Sequence, residues 1–302
     1  MSILSGKAGL LLTIIAAGYL LKRTHVLKAD DAKVLSRVMI YLTLPAALIS
    51  GFRNFSFQTE FLLLVVLALV CNLILLGLGL LLTRGRPLEE RALYGLQLSS
   101  YNIGAFVLPF VQSFLPAEGL IGTSLFDAGN CPMNCGVSYA LVLSVASGKR
   151  ISVRFVGRHL LQSPPFMTYM IMLLAQILQI RLPDVLFHLA EGISPANTIL
   201  AMLLIGILLE PAVPKSYRIQ AFRILTIRYF CNALFACIIW FLPFSLILRQ
   251  IAILSVMAPI PSMALIYSKK CGCNDAVCGL LSSLSLIISL PIVFALLFFW
   301  NL

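Results

Sequence analysis

Apolar residues fill this chain in long blocks, and short connections between the blocks hold most of the charge. Crossing ~30 Å of hydrocarbon takes about 20 predominantly apolar residues. Ten blocks meet or approach that length: residues 3–21, 34–52, 61–83, 92–114, 119–147, 164–180, 193–211, 222–244, 248–267 and 276–300. Each predicts a transmembrane helix, although 34–52 and 193–211 are short and have polar or charged ends. Two blocks are interrupted at mid-length. One reads Asn102-Ile103-Gly104-Ala105-Phe106-Val107-Leu108-Pro109, the other Ala258-Pro259-Ile260-Pro261-Ser262. In lipid, a broken helix leaves backbone groups without partners at several kcal/mol each, so breaks persist only inside protein or beside a water-filled cavity. Interrupted segments at matching places in two halves are the sequence mark of a carrier's binding site.

The connection from 147 to 165 is the longest basic stretch, and it divides the blocks five and five. The predicted units are a first repeat, 1–147, a cytoplasmic linker, 148–163, and a second repeat, 164–302. An odd number of spans per half gives the halves opposite orientations, so related halves would form an inverted repeat about an axis in the membrane plane. The fold expected is therefore an all-α membrane protein of ten transmembrane helices in a 5+5 inverted repeat. Its fourth and ninth helices are broken and cross. Residues 151–161 are expected to form a basic amphipathic helix on the inner surface. Counting helical rise from the block ends puts Asn102 roughly 15 Å deep, Pro259 roughly 16 Å and Asp127 roughly 12 Å, all near the midplane.

Composition agrees: 60% of residues are hydrophobic and 11% charged, against about 45–50% and about 25% in soluble domains. The first block lacks a basic start and a following cleavage site, so it reads as a retained span. The net charge of +11 invites a nucleic-acid reading, which its distribution answers. Sixteen basic residues fall at 22–33, 84–91, 149–158, 215–223 and 269–270, on alternate connections; Lys7, Arg53, Arg181 and Arg249 fall on the opposite side. That is a positive-inside asymmetry with both termini extracytoplasmic, in a plasma membrane or bacterial inner membrane. It concerns orientation in lipid, with no nucleic-acid partner. Arg37 and Arg228 lie a turn or two inside spans, and Arg228 reads as a snorkelling side chain near the inner interface.

Candidate chemistry gathers at the breaks. Pro109, Pro259 and Pro261 each remove a donor and disfavour continuous helix. The half-helices would then present positive N-terminal ends, which suit a carboxylate, and exposed carbonyls, which suit a small cation. The substrate-binding set is Asn102, Ile103, Gly104, Pro109, Pro259, Ile260, Pro261 and Ser262. Asp127 is the acidic residue well inside a span, followed at helical spacing by Asn130 and Asn134. Intramembrane ionisable groups are costly and usually face a cavity or relay, so Asp127 and Asn130 are the ion-coupling pair, for a proton or sodium. His25, His159 and His188 lie at connections or their edges and make no relay. The cysteines read as structural: Cys271, Cys273 and Cys278 fit no standard zinc spacing. No cofactor, metal site or catalytic arrangement is expected, and an enzyme is not the reading.

Motif order carries a resemblance. The pattern N-x-G-x-x-x-x-P at Asn102, Gly104 and Pro109, Leu44-Pro45-Ala46-Ala47-Leu48, Pro195 followed by Gly206, and Leu290-Pro291-Ile292 together resemble the auxin efflux carrier family. That family includes plant PIN-type exporters and bacterial permeases for malate- or malonate-like acids. The chain has Val107 where members often have glycine, and it lacks the long cytoplasmic loop of the plant exporters, so it resembles the compact bacterial branch. The resemblance implies a secondary transporter for a small organic anion, either a dicarboxylate or an auxin-like acid. It also implies an elevator mechanism, in which a mobile domain slides on a scaffold that forms a homodimer in membrane lipid. The alternatives are a sodium-coupled bile-acid-type symporter and a non-transporting receptor or sensor of the same fold.

Overall fold

The computed structural model describes residues 2–28, 30–53, 60–148, 153–209 and 217–300, so Lys149, Arg150 and Lys215 of the charge pattern lie outside the described residues. Among the described residues every regular element is helical. In order they are α1 Ser2–Arg23, α2 Asp31–Val38, α3 Leu44–Phe52, α4 Glu60–Leu82, α5 Leu88–Leu98, α6 Leu108–Phe114, α7 Ala117–Pro132 and α8 Ser138–Ser147. The second half holds α9 Val153–Leu161, α10 Pro164–Ile177, α11 Asp184–Ile193, α12 Pro195–Leu208, α13 Arg218–Trp240, α14 Leu246–Val256, α15 Ser262–Lys270 and α16 Asp275–Phe299.

Among the described residues, five continuous stretches are long and apolar enough to cross a membrane: Asp31–Phe52, Glu60–Leu82, Asp184–Leu208, Arg218–Trp240 and Asp275–Phe299. Shorter apolar helices, α10 and α14, accompany them. Large apolar side chains stay on the outside, among them Phe222 at 73% and Phe230 at 72% exposure. Such a surface belongs against lipid rather than water. The expected block 193–211 in fact begins at Asp184: Ser194 keeps helical angles, so α11 runs straight into α12 past Pro195. The blocks 92–114 and 119–147 are each interrupted rather than continuous.

Among the described residues, three wide π turns, Met39–Thr43, Ile103–Val107 and Met133–Val137, interrupt the α geometry. Two have a common cause. Proline lacks an N–H, and its ring clashes with the carbonyl four residues back. For Pro45 and Pro109 that carbonyl belongs to Tyr41 and Ala105, both inside a π turn, and the widened turn makes room for the ring. Pro109 therefore stands inside a continuous helix, 103–114, and the π turn is the form its disruption of the α geometry takes. The chain leaves helix altogether earlier than the sequence suggests, at 99–102. The third turn contains Gly136 at φ 135°, a backbone state that favours glycine.

The helices pack in two groups. In one, α1 lies along α12, and α3 packs on α10 and α11. The axes of α1 and α12 come so close at Gly18 and Gly206 that a Cβ on Gly206 would land on the Ile15 carbonyl and one on Gly18 on the Leu203 carbonyl. Small residues permit this backbone approach where lipid removes any hydrophobic drive. In the other group α4 packs on α5 and α7, α5 on α8 and α15, and α14 on α7 and α13, with α16 against α13 and α15. The basic helix α9 leads from the first half into α10, with Arg154 and Arg158 exposed.

Candidate functional site

Two helices stop in mid-course: α5 ends at Leu98 and α14 at Val256, and non-helical backbone follows each, at 99–102 and 257–261. The two breaks touch, because the Asn102 N–H donates to the Pro259 carbonyl at 3.0 Å. Several of the other freed groups find partners from surrounding helices. The Ser100 N–H donates to Asn72 Oδ1 at 2.6 Å. Asn130 serves both sides of one residue: its Oδ1 accepts from the Tyr101 N–H at 2.9 Å, and its Nδ2 donates to the Tyr101 carbonyl at 2.8 Å. On the second break, Ser289 Oγ donates to the Met257 carbonyl at 2.6 Å, and the Ile260 N–H donates to Ser285 Oγ at 3.0 Å. Side chains on α4, α7 and α16 thus supply what water would otherwise provide.

Arg228 of α13 completes this set, and its place corrects the snorkelling expectation. It is fully buried. Nη1 donates to the Gln97 carbonyl at 3.2 Å and to the Leu98 carbonyl; Nη2 donates to the Ser100 carbonyl at 2.7 Å and the Ala258 carbonyl at 3.2 Å. The guanidinium carbon also lies 5.1 Å from the Tyr101 ring centroid. One side chain therefore holds carbonyls from both breaks.

A cavity of about 180 Å³ opens beside the crossing. Asn102 and Ile260 of the breaks, Ser262 at the start of α15, and Gly279, Ser282 and Ser283 of α16 line it, with Lys22 of α1 and Ile207 of α12 opposite. Lys22 Nζ donates to the Leu209 carbonyl at 2.7 Å. A larger groove of about 850 Å³ between α13 and α16 is lined mainly by apolar side chains and by Arg218 and Arg223. It shares no lining residue with the smaller cavity. The smaller cavity is the better candidate, because unwound backbone and convergent polar groups meet there.

Asp127 on α7 is half-buried. Its carboxylate accepts from Asn130 Nδ2 at 3.0 Å and from the Tyr169 hydroxyl on α10 at 3.1 Å. Its Oδ2 lies 3.8 Å from where a Cβ on Gly104 would stand, so a side chain at Gly104 would crowd Leu44 at 2.9 Å and approach the carboxylate. Asp127 thus reaches the crossing through Asn130.

Of the expected set, Asn102, Pro259, Ile260, Pro261 and Ser262 come together at the crossing, and Gly104, Asp127 and Asn130 lie against it. Ile103 and Pro109 are buried in the core, as is Val107, so the glycine-to-valine departure does not reach the cavity. Sequence reasoning missed Asn72, Arg228, Ser285, Ser289 and Tyr169. Asn72 and Arg228 carried a usable signal, since a polar side chain inside an apolar helix asks for a partner.

Comparison with known proteins places the sequence in a family. Residues 10–297 match the family described as membrane transport protein. An uncharacterized transporter of Methanothermobacter thermautotrophicus is 26% identical over 150 residues, 48% of this chain and 50% of that protein. Another, from Methanocaldococcus jannaschii, is 26% identical over 218 residues, 68% of this chain and 69% of that protein. The chain thus spans about half the length of the first relative and about two-thirds of the second. It belongs to the membrane transport protein family, that of the auxin efflux carriers, a family of multi-pass transporters rather than enzymes.

Proposed function

We propose that this member of the membrane transport family is a secondary transporter that moves a small organic anion across the cell membrane by an elevator-type alternating-access cycle. A malate- or malonate-like carboxylate or an auxin-like acid is the class of substrate. The observation that carries the reading is the backbone bond between Asn102 and Pro259, which joins two broken helices beside a polar cavity.

Ten spans in a 5+5 inverted repeat fit the order of elements. Each half holds a first helix (α1, α10), a second made of two segments end to end (α2–α3, α11–α12), a long third (α4, α13), a broken fourth (α5–α6, α14–α15) and a fifth (α7–α8, α16). The units are 1–147, the linker 148–163 and 164–302, with both termini extracytoplasmic and the chain in the plasma membrane. In this reading the carboxylate sits in the cavity against Asn102, the Ser262 hydroxyl and the free N–H groups that open α15, with Lys22 supplying positive charge. Ile103 and Pro109 hold the shape of the first half-helix from within the core. The group containing α4–α8 and α13–α16 is the moving body; α1–α3 and α10–α12 are the framework, which pairs with a second copy. Side-chain bonds between the two bodies sit at Lys7–Ser113, at Gln112 with Ser194 and Thr198, and at Tyr169–Asp127. Asp127 is therefore both the ion-coupling carboxylate and a contact that sliding must break, with Asn130 relaying its state to the crossing.

Uptake of labelled mono- and dicarboxylates into proteoliposomes, with and without a sodium or pH gradient, tests the assignment. At least one acid should accumulate, and Asn102→Ala should abolish its uptake while the protein stays folded and inserted. A binding signal without turnover would favour the sensor reading, and unchanged uptake by Asn102→Ala would make the break a mere kink.

A further inference from the structure

We propose that Arg228 is a tethered cation that fills the carbonyl site where the two broken helices cross, so that this carrier needs no sodium ion there. The transport consequence rests on the reading above; the site itself rests on geometry alone. The C-terminal ends of α5 and α14 carry unpaired carbonyls and the negative end of each helix dipole. In carriers with broken helices such carbonyls can coordinate a small cation. Here the Gln97, Leu98, Ser100 and Ala258 carbonyls all receive the Arg228 guanidinium instead. No ion pair among the described residues includes Arg228. A buried charge without a carboxylate is tolerable only when other groups compensate it, and here four carbonyls take up both terminal nitrogens and the face of Tyr101 lies against the guanidinium, while Nε alone has no hydrogen-bond partner. The planar fork of donors suits this task better than a point charge, because it reaches both breaks at once.

Asp127 belongs to a separate network. Its carboxylate is held by Asn130 and Tyr169, and Arg228 is not among its partners. The fixed charge and the exchangeable one are thus divided between two sites, which leaves the proton as the natural coupling ion at Asp127.

Removing the guanidinium should open a vacant cation site at the crossing. The probes are guanidinium chloride at millimolar, non-denaturing concentration and sodium chloride, each against choline chloride at equal ionic strength. Melting of the purified full-length protein is the first readout. Wild type should melt at the same temperature in sodium as in choline. Arg228→Ala should melt lower and recover saturably with guanidinium or sodium, and Arg228→Lys should stay closer to wild type than Arg228→Gln. In proteoliposomes Arg228→Ala should lose uptake by roughly tenfold or more, since several buried carbonyls lose their partner, and guanidinium should restore part of it. Saturable stabilisation by sodium that persists in Asp127→Asn with Arg228 intact, or a folded Arg228→Ala that neither cation moves, overturns the proposal. If Arg228→Ala does not fold, the Asp127→Asn sodium series and Arg228→Lys still decide it. If no acid is transported, the transport reading fails while the melting series still judges Arg228.

Discussion

Asn130→Ala isolates the contribution of one side chain to the crossing. Asn130 accepts from the Tyr101 N–H at 2.9 Å and donates to the Tyr101 carbonyl at 2.8 Å, and it is fully buried. Alanine leaves both backbone groups without their partner in a place water does not reach. An orphaned buried group costs about 1–3 kcal/mol, so the pair costs about 2–6 kcal/mol before the weaker bonds to Asp127 and Asn72 are counted. At about 2–4 °C per kcal/mol for a domain of this scale, the melting temperature in detergent should fall by on the order of 10 °C. Asn134→Ala makes the same deletion one helical turn on, where the side-chain oxygen has no hydrogen-bond partner. It should change stability by less than about 1 kcal/mol. Equal melting of Asn130→Ala and wild type, or equal losses for the two variants, would refute the claim that Asn130 holds the break.

Asp127→Asn should retain the hydrogen bonds to Asn130 and Tyr169 in part and keep substrate binding, yet abolish accumulation driven by a proton or sodium gradient; retained gradient-driven uptake in vesicles rules out coupling there. Single cysteines placed at Ser2 and Arg154 in a cysteine-free background should label from opposite sides of the membrane, and labelling from one side defeats the ten-span topology. Gly206→Val should lower the yield of folded protein sharply in fluorescence-detected gel filtration, since its Cβ meets the Ile15 carbonyl, whereas Gly77→Ala, with open space around it, should behave as wild type.

Much of the fold was legible because its physics is local. Apolar length marks a span wherever it falls, and α4, α13 and α16 lie close to the blocks at 61–83, 222–244 and 276–300. The second break was legible too, because Pro259 and Pro261 stand within it. The first break was misplaced for a physical reason. Pro109 is absorbed by a π turn, and the chain actually departs from helix at 99–102, where Ser100 takes a left-handed φ of 69°. Nothing local marks that stretch; it is open because Asn72, Asn130 and Arg228 wait to receive its backbone, from helices distant in sequence. Arg228 was misread for the same reason. Distance from the end of a helix says how deep a charge lies but not whether four carbonyls surround it.

The crossing also sets a timetable for biosynthesis. The Gln97 carbonyl leaves the ribosome 131 residues before the arginine that will hold it. At ~5–20 residues per second, the first half therefore spends on the order of ten seconds in or near the bilayer with the Gln97, Leu98 and Ser100 carbonyls of its broken helix unsatisfied. That segment must wait in the translocon, in the polar interface or against a chaperone until α13 and α14 arrive. The first five helices made alone should accordingly be a target for quality control rather than a stable half-protein, because the groups that would finish them are encoded in the other half.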